Sequence, residues 1–264
     1  MSEKLDELVR VVRALRDPAC GCPWDLEQDF QTLATGTLEE VYELIEALEN
    51  NDPAHIREEL GDVLLHIILY AQIASEKELF SLDDVASCEA EKMVSRHPHV
   101  FGDRAGVKTA TDVLQNWEND KAQKRASSGT LEDVSRALPA LIRAQKLQKR
   151  AMHVGFNWPN LDGVMDKVRE ELDELSHESK TQASVERLES ELGDVLFSAI
   201  CLASFLKLDA EKALRATNAR FEQRFAFMEK ALRDQGKDIQ SVSFEERESL
   251  WARAKQAAND SSPA

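Results

Sequence analysis

The chain has 264 residues, with 33 Lys and Arg against 49 Asp and Glu, a formal net charge of −16, and 42% apolar residues. That is enough apolar material for a core, and at about 150 residues per domain the length suggests one or two domains. The acid excess argues against a nucleic-acid polymer or an anionic membrane as partner, and it leaves room for carboxylates gathered around a hard cation.

Apolar residues recur at helical spacing nearly throughout. Leu5, Leu8, Val9, Val12 and Leu15 form one stripe that stops at Asp17-Pro18. The stretch Cys20-Gly21-Cys22-Pro23-Trp24-Asp25 reads as irregular. Thr37 with Glu40 reads as a capping box opening a helix to about Asn50. Asp52-Pro53 pairs an N-cap with Pro at the first helical position and starts a helix to about Lys77. Ser81 starts the next helix, stopped at His97-Pro98, and a further helix is expected over Thr111 to Arg125.

Residues 126–134, beginning Ala126-Ser127-Ser128-Gly129-Thr130, are small and polar and read as a linker. Helices are then expected over about 135–152, 162–180, 184–206, 209–235 and 244–257, the last opened by a Ser243–Glu246 capping box. Residues 259–264 read as a frayed tail.

Charge runs through Met1 to Leu15, so no signal peptide is expected, and the apolar run from Val63 to Ala74 is too short to span a bilayer. Cys20, Cys22, Cys88 and Cys201 do not complete a zinc pattern and are expected to be free thiols in a reducing cytoplasm.

The two halves repeat each other. Glu39-Glu40-Val41-Tyr42-Glu43 matches Glu170-Glu171-Leu172-Asp173-Glu174, and Glu59-Leu60-Gly61-Asp62 matches Glu191-Leu192-Gly193-Asp194. Lys92 and Arg96 match Arg220 and Arg224, Trp117 and Lys121 match Trp251 and Lys255, and Trp24 matches Trp158. The offset stays near one value, which implies an all-α chain of two duplicated modules, 1–125 and 135–258.

Positions three or four apart share a helix face. Glu40 with Glu43 and Glu59 with Asp62 would therefore face each other across a helical hairpin, as would Glu171 with Glu174 and Glu191 with Asp194. Four such carboxylates repel without a cation, and oxygen-only ligands suit Mg²⁺, with Mn²⁺ as a substitute. Gly61 and Gly193 sit in helix interiors at a cost of about 1 kcal/mol each against Ala, which suggests close approach by a helix or ligand. Iron competes through Glu174-Leu175-Ser176-His177, the spacing of di-iron bundles. His97-Pro98-His99 reads as a helix end, and His66 as a core or interface histidine.

Arg220 and Arg224 lie four apart, as do Trp251 and Lys255. Arg forks and a Lys point charge suit phosphate oxygens, and a Trp face suits a base. Arg187, one turn before Glu191, is a further phosphate candidate. Together these describe a metal–nucleotide site without a Gly-rich phosphate loop.

Cys22-Pro23-Trp24-Asp25, Leu38-Glu39-Glu40-x-x-Glu43, Glu59-Leu60-Gly61-Asp62 and Arg96-His97-Pro98-His99-Val100-Phe101 resemble the MazG family of nucleoside triphosphate pyrophosphohydrolases. In the second half Gln145-Lys146, Val154-Gly155-Phe156 and Arg220-Phe221-x-x-Arg224-Phe225 extend the resemblance over essentially the whole chain. The resemblance implies tandem all-α MazG-like modules, bundled as four helices on homodimerisation, and Mg²⁺-dependent hydrolysis of nucleoside triphosphates to monophosphate and pyrophosphate. It also implies broad base use in nucleotide-pool cleaning and stress response, with the C-terminal module catalytic. Glu171, Glu174, Glu191 and Asp194 would then hold metal, with Glu170 orienting water. Arg187, Arg220, Arg224, Trp251 and Lys255 would meet the nucleotide. Glu40, Glu43, Glu59 and Asp62, with Lys92, Arg96, Trp117 and Lys121, form a possible second site. Arg220 departs from the Lys often found at that place in the family. A narrow-specificity enzyme for dUTP or a phosphoribosyl-nucleotide, or a non-catalytic helical scaffold, are the alternatives.

Ten of the 49 acids fall in the two motifs, and setting them aside leaves 39 acids against 33 bases, a net of −6. The acid excess thus lies largely in the expected metal sites.

Overall fold

The computed structural model describes residues 3–102, 109–113 and 129–260. The described residues are helical with turns and contain no strand. They fall into two compact units, Met1–Asp120 and Lys121–Ala264. No described helix is long and apolar enough to cross a membrane.

The first unit runs α1 (Glu3–Leu15), α2 (Pro23–Glu27), α3 (Thr32–Asn50), α4 (Pro53–Glu76), α5 (Leu82–Arg96) and α6 (Pro98–Phe101). Its framework is the α3–α4 hairpin. Asn51 ends α3 in the left-handed region (φ 53°), and Asp52 caps α4 by accepting from the amides of Ala54 and His55. A left-handed residue and an N-cap in succession reverse the chain within two residues. The α1 stripe closes the core: Val12, Leu33, Ile68, Leu69 and Ile73 are buried together, with Leu5, Leu8, Val9, Phe30 and Tyr70 packed around them. Arg16 ties the unit's end, donating to Glu76 at 2.7 Å, to the Gln28 carbonyl at 3.2 Å and to the Asp25 carbonyl.

The Ser81 start is a full capping box with Asp84, but the box expected at Thr37 and Glu40 is not a helix start. Helix α3 begins at Thr32, where Asp29 accepts from the amides of Gln31 and Thr32, both at 2.8 Å, and Thr32 Oγ1 accepts from the Asp29 amide. Thr37 lies inside the helix and donates to the Leu33 carbonyl. The Thr-x-x-Glu pattern recurs in helix interiors, and the earlier Asp29–Thr32 pair satisfies the free amides first. The stretch read as irregular also holds the start of the short helix α2, opened by Pro23. The helix expected over Thr111 to Arg125 falls largely outside the described residues, as do residues 126–128 of the expected linker and 261–264 of the tail.

The second unit runs α7 (Ala140–His153), α8 (Leu161–Lys180), α9 (Val185–Phe205), α10 (Ala210–Arg233) and α11 (Phe244–Asp260), with a 3₁₀ turn at Ile239–Ser241. Helix α7 starts after Pro139, five residues later than its pattern suggests. The α8–α9 hairpin repeats the α3–α4 one, with Gln182 left-handed (φ 56°) and Ser184 capping α9. Helix α7 packs on α9, and α10 packs on α11 around Met228, Leu232, Val242 and Leu250. Gln145 bolts α7 to the α9–α10 turn, donating to the Leu208 carbonyl at 2.6 Å and accepting from the Ala210 amide at 3.2 Å.

Candidate active site

In the second unit α8 and α9 bring Glu171, Glu174 and Glu191 together, with one carboxylate oxygen of each within 4.8 Å of the others. Glu171 and Glu191 are buried and Glu174 is exposed. Asp194 stands one turn beyond Glu191 and shares with Glu171 the wall of a neighbouring pocket. Partial desolvation by the neighbouring side chains, together with the charges of Glu171 and Glu191, raises the Glu174 carboxyl above its usual 4.5. Converging acids behave this way when no cation offsets them.

Two basic side chains partly neutralise the cluster. Lys167 lies 2.9 Å from oxygens of both Glu170 and Glu171, and hydrogen bonds to these two hold its ammonium charged well above the usual range. Arg187 bonds Glu178 at 3.2 Å and Glu191 at 2.7 Å, and these contacts raise its pKa, the Glu178 bond most. Five acids, Glu170, Glu171, Glu174, Glu191 and Asp194, still outnumber these two cations. The residues fit a hard divalent ion: the converging atoms are all carboxylate oxygens, two of the three from buried side chains. His177 lines the open groove beside Glu170, Glu174 and Arg187, but it is not among the converging ligands. The Glu-x-x-His spacing therefore does not assemble an iron-type set here.

The first unit builds the same arrangement from Glu40, Glu43 and Glu59, again within 4.8 Å. Burial, Asp62 and Glu43 raise Glu40 above 4.5. Among the described residues Oε2 of buried Glu59 has no hydrogen-bond partner, while its Oε1 lies 2.9 Å from His55 Nε2. Such an orphaned carboxylate oxygen fits a cation site. The basic partners differ from those of the second unit: His55 occupies the place of Arg187, and His66 Nε2 lies 4.0 Å from Glu40. Thr37 Oγ1 donates to the Leu33 carbonyl and contacts both His66 Nδ1 at 2.7 Å and Tyr70 OH at 2.8 Å. A hydroxyl has one proton, so His66 Nδ1 carries the donor in that contact. The His66 ring packs on Gly36, whose added Cβ would stand 3.2 Å from Cε1. His66 is thus half-buried beside the acids, within its own chain.

Among the described residues, nothing apart from their own helix backbone lies within 4 Å of a Cβ added at Gly61 or Gly193. The close approach expected at these glycines is not made by any described part of the chain. They lie instead on exposed apolar ridges, Leu60, Leu64 and Ile67 on α4, and Leu192 and Leu196 on α9.

The remaining expected nucleotide residues lie on other helices. Arg220 donates to Thr217 on its own helix, and the Arg224 guanidinium stands 5.7 Å over the Trp251 ring, which also meets Phe221 at 5.4 Å. Lys255 is exposed on α11. In the first unit Lys92 pairs with Glu89 and Arg96 ends α5, while Trp117 and Lys121 lie outside the described residues.

The sequence did not single out the pocket beside Glu171 and Asp194. Its volume is about 290 Å³, and Phe156, Trp158, Val164, Phe197 and Cys201 form much of its wall. Its available signals were the motif Val154-Gly155-Phe156 and the repeat of Trp24 at Trp158.

A sequence model of the MazG nucleotide pyrophosphohydrolase domain matches residues 28–101 and 160–226. These are the two segments that carry the two acid clusters. A nucleoside triphosphate pyrophosphohydrolase of Escherichia coli K12 is 42% identical over 262 residues, covering 97% of this chain and 99% of the relative. The nucleoside triphosphate pyrophosphohydrolase/pyrophosphatase MazG of Thermotoga maritima is 39% identical over 252 residues, 95% of each chain. The protein YabN of Bacillus subtilis is 43% identical over 248 residues, 93% of this chain and 50% of that one.

Proposed function

The chain belongs to the MazG nucleotide pyrophosphohydrolase family, and from that premise we propose that it hydrolyses nucleoside triphosphates to monophosphate and pyrophosphate with Mg²⁺, or Mn²⁺ in its place. The observation that carries this reading is the convergence of Glu171, Glu174 and Glu191 beside a pocket of heterocycle size. We place the main activity in the second unit, with Glu40, Glu43, Glu59 and Asp62 as a second metal site. Broad base use would suit nucleotide-pool cleaning and a role in stress.

Glu171, Glu174, Glu191 and Asp194 would hold the cation. Bound there, it supplies Lewis acidity that draws charge from the triphosphate and lowers the pKa of water. Glu170, steered by Lys167, accepts a proton from the attacking water. Hydrolysis breaks the linkage between the α- and β-phosphates, and pyrophosphate leaves with its charge met by Arg187, Arg220, Arg224 and Lys255. Trp251 acts here by holding the Arg224 guanidinium. The exposed ridges at Gly61 and Gly193 are the faces we assign to a homodimer, where helical hairpins of two copies would bundle.

The test is product analysis. ATP and Mg²⁺ should yield equimolar AMP and pyrophosphate, and EDTA should stop the reaction. ADP and orthophosphate as products would overturn the proposal.

A further inference from the structure

We propose that the pocket beside Glu171 and Asp194 receives the nucleotide base, and that Gln148 reads the base edge. This rests on the pyrophosphohydrolase reading and adds the residue that makes the site require a base on the triphosphate.

Gln148 is the buried residue of α7, only 6% exposed, yet it carries an amide. Among the described residues no hydrogen bond engages that side chain, which lines the pocket. Gln145, on the same helix, shows the contrast: both ends of its amide are used to hold the α9–α10 turn. A mostly buried side chain that lines a pocket and leaves its amide to the pocket's solvent is placed to bond a ligand there. Around Gln148 the floor is Val164, Ser198 and Cys201, each at most 8% exposed, and Ser198 Oγ already donates to the Val195 carbonyl. Phe156 and Trp158 are partly exposed, Phe156 by 76% and Trp158 by 36%, and give the entrance aromatic faces. Apolar walls, aromatic faces and one unpaired amide form a receptor for a flat heterocycle with hydrogen-bonding edges.

The volume of about 290 Å³ takes a base and leaves sugar and phosphates outside. At one wall Lys167, Glu171 and Asp194 belong to both the pocket and the acid site, so a base seated inside directs its triphosphate toward the carboxylates. An amide can present its donor and acceptor in either order by flipping. Each common base has a neighbouring donor and acceptor on its edge. Gln148 therefore demands a base but does not choose among them, which accounts for breadth without loss of grip.

The test compares ATP and UTP with ribose 5′-triphosphate, which has no base. Gln148→Leu keeps the bulk and removes the amide. It should raise KM for ATP and UTP about tenfold, with kcat held and ribose 5′-triphosphate turnover unchanged. An equal loss on the abasic substrate, or no change on ATP, would overturn the assignment. A second measurement needs no variant and no turnover: alkylation of Cys201 in the intact protein, read by peptide mass spectrometry. A non-hydrolysable ATP analogue at about ten times its Kd should slow Cys201 modification about tenfold, while Mg²⁺ with tripolyphosphate should not. Equal protection by both, or by neither, would also overturn it. Failure of the wild-type protein to release pyrophosphate from any triphosphate would instead count against the parent reading, and Cys201 protection would still report on the pocket.

Discussion

Nη2 of Arg187 lies 2.7 Å from Oε1 of Glu191, one helical turn away, pairing an exposed guanidinium with a buried carboxylate. An arginine at this place competes with a cation for the same oxygen. Arg187→Met should therefore lower the stability of the metal-free protein by about 1 kcal/mol, because one partner is exposed and screened. Added Mg²⁺ should then raise the melting temperature of the variant more than that of the wild type. Calorimetry with EDTA and with Mg²⁺ measures both, and an unchanged Mg²⁺ increment would show that Arg187 and the ion do not share Glu191.

The two acid clusters make separate predictions. Glu174→Gln should cut pyrophosphate release more than about a hundredfold, while Glu43→Gln should leave most of it. The distinction rests on the partners: Lys167 and Arg187 carry permanent charge beside the second cluster, whereas the first has His55 and His66. If Glu43→Gln silenced the protein and Glu174→Gln did not, the working module would be the first.

The raised pKa values of Glu174 and Glu40 set a pH dependence. Desolvation and neighbouring acids raise both above 4.5. The fold thus favours their protonated forms, and this stabilisation is complete below 4.5 and lost as pH rises through the raised values. The metal-free protein should lose stability on that rise toward neutral pH, and Mg²⁺ should restore it. Glu76 has the opposite sign: hydrogen bonding from Arg16 lowers it below 4.5, and its contribution fades only as pH falls through the lowered value. Melting curves between about pH 4.5 and 7.5 with EDTA should show the first effect, and Glu174→Gln should reduce it.

Arg16 is 7% exposed and holds Glu76 along with two backbone carbonyls around α2. Arg16→Met should destabilise the first unit by about 2 kcal/mol, since it leaves acceptors unpaired at a mostly buried site. Cleavage products from limited proteolysis should then begin within the first unit, with the second unit persisting.

Gly193 tests the dimer. Among the described residues, nothing apart from its own helix backbone stands within 4 Å of an added Cβ, so Gly193→Ala should stabilise an isolated α9 by about 1 kcal/mol through helix propensity. If a second copy packs on the Leu192–Leu196 ridge, the same methyl should weaken dimerisation, as read by sedimentation. A stabilised protein with unchanged association would move the interface elsewhere.

Much of the fold was legible because its signals are local. The Asp52 and Ser81 caps and the α8 and α10 boundaries follow from residues within a few positions of each other. Thr37 shows where local signals mislead: its pattern was a helix start, but Asp29 and Thr32 took that role, and Thr37 instead braces His66 and Tyr70 from another helix. The acids were legible through their repetition. Gln148 was not, because a polar residue among Lys and Arg on α7 looks solvated until α9 packs over it.

By itself the sequence determined that the chain is a duplicated helical protein with acids paired on helix faces, because a spacing of three or four residues sets a face without reference to the rest of the molecule. Only the tertiary structure decided which cations sit on which acids, that no other described part of the chain approaches Gly61 and Gly193, and that Gln148 lines a pocket beside Glu171. Those outcomes depend on how helices distant in sequence stack, and no local spacing encodes which side chain is left without a partner when they do.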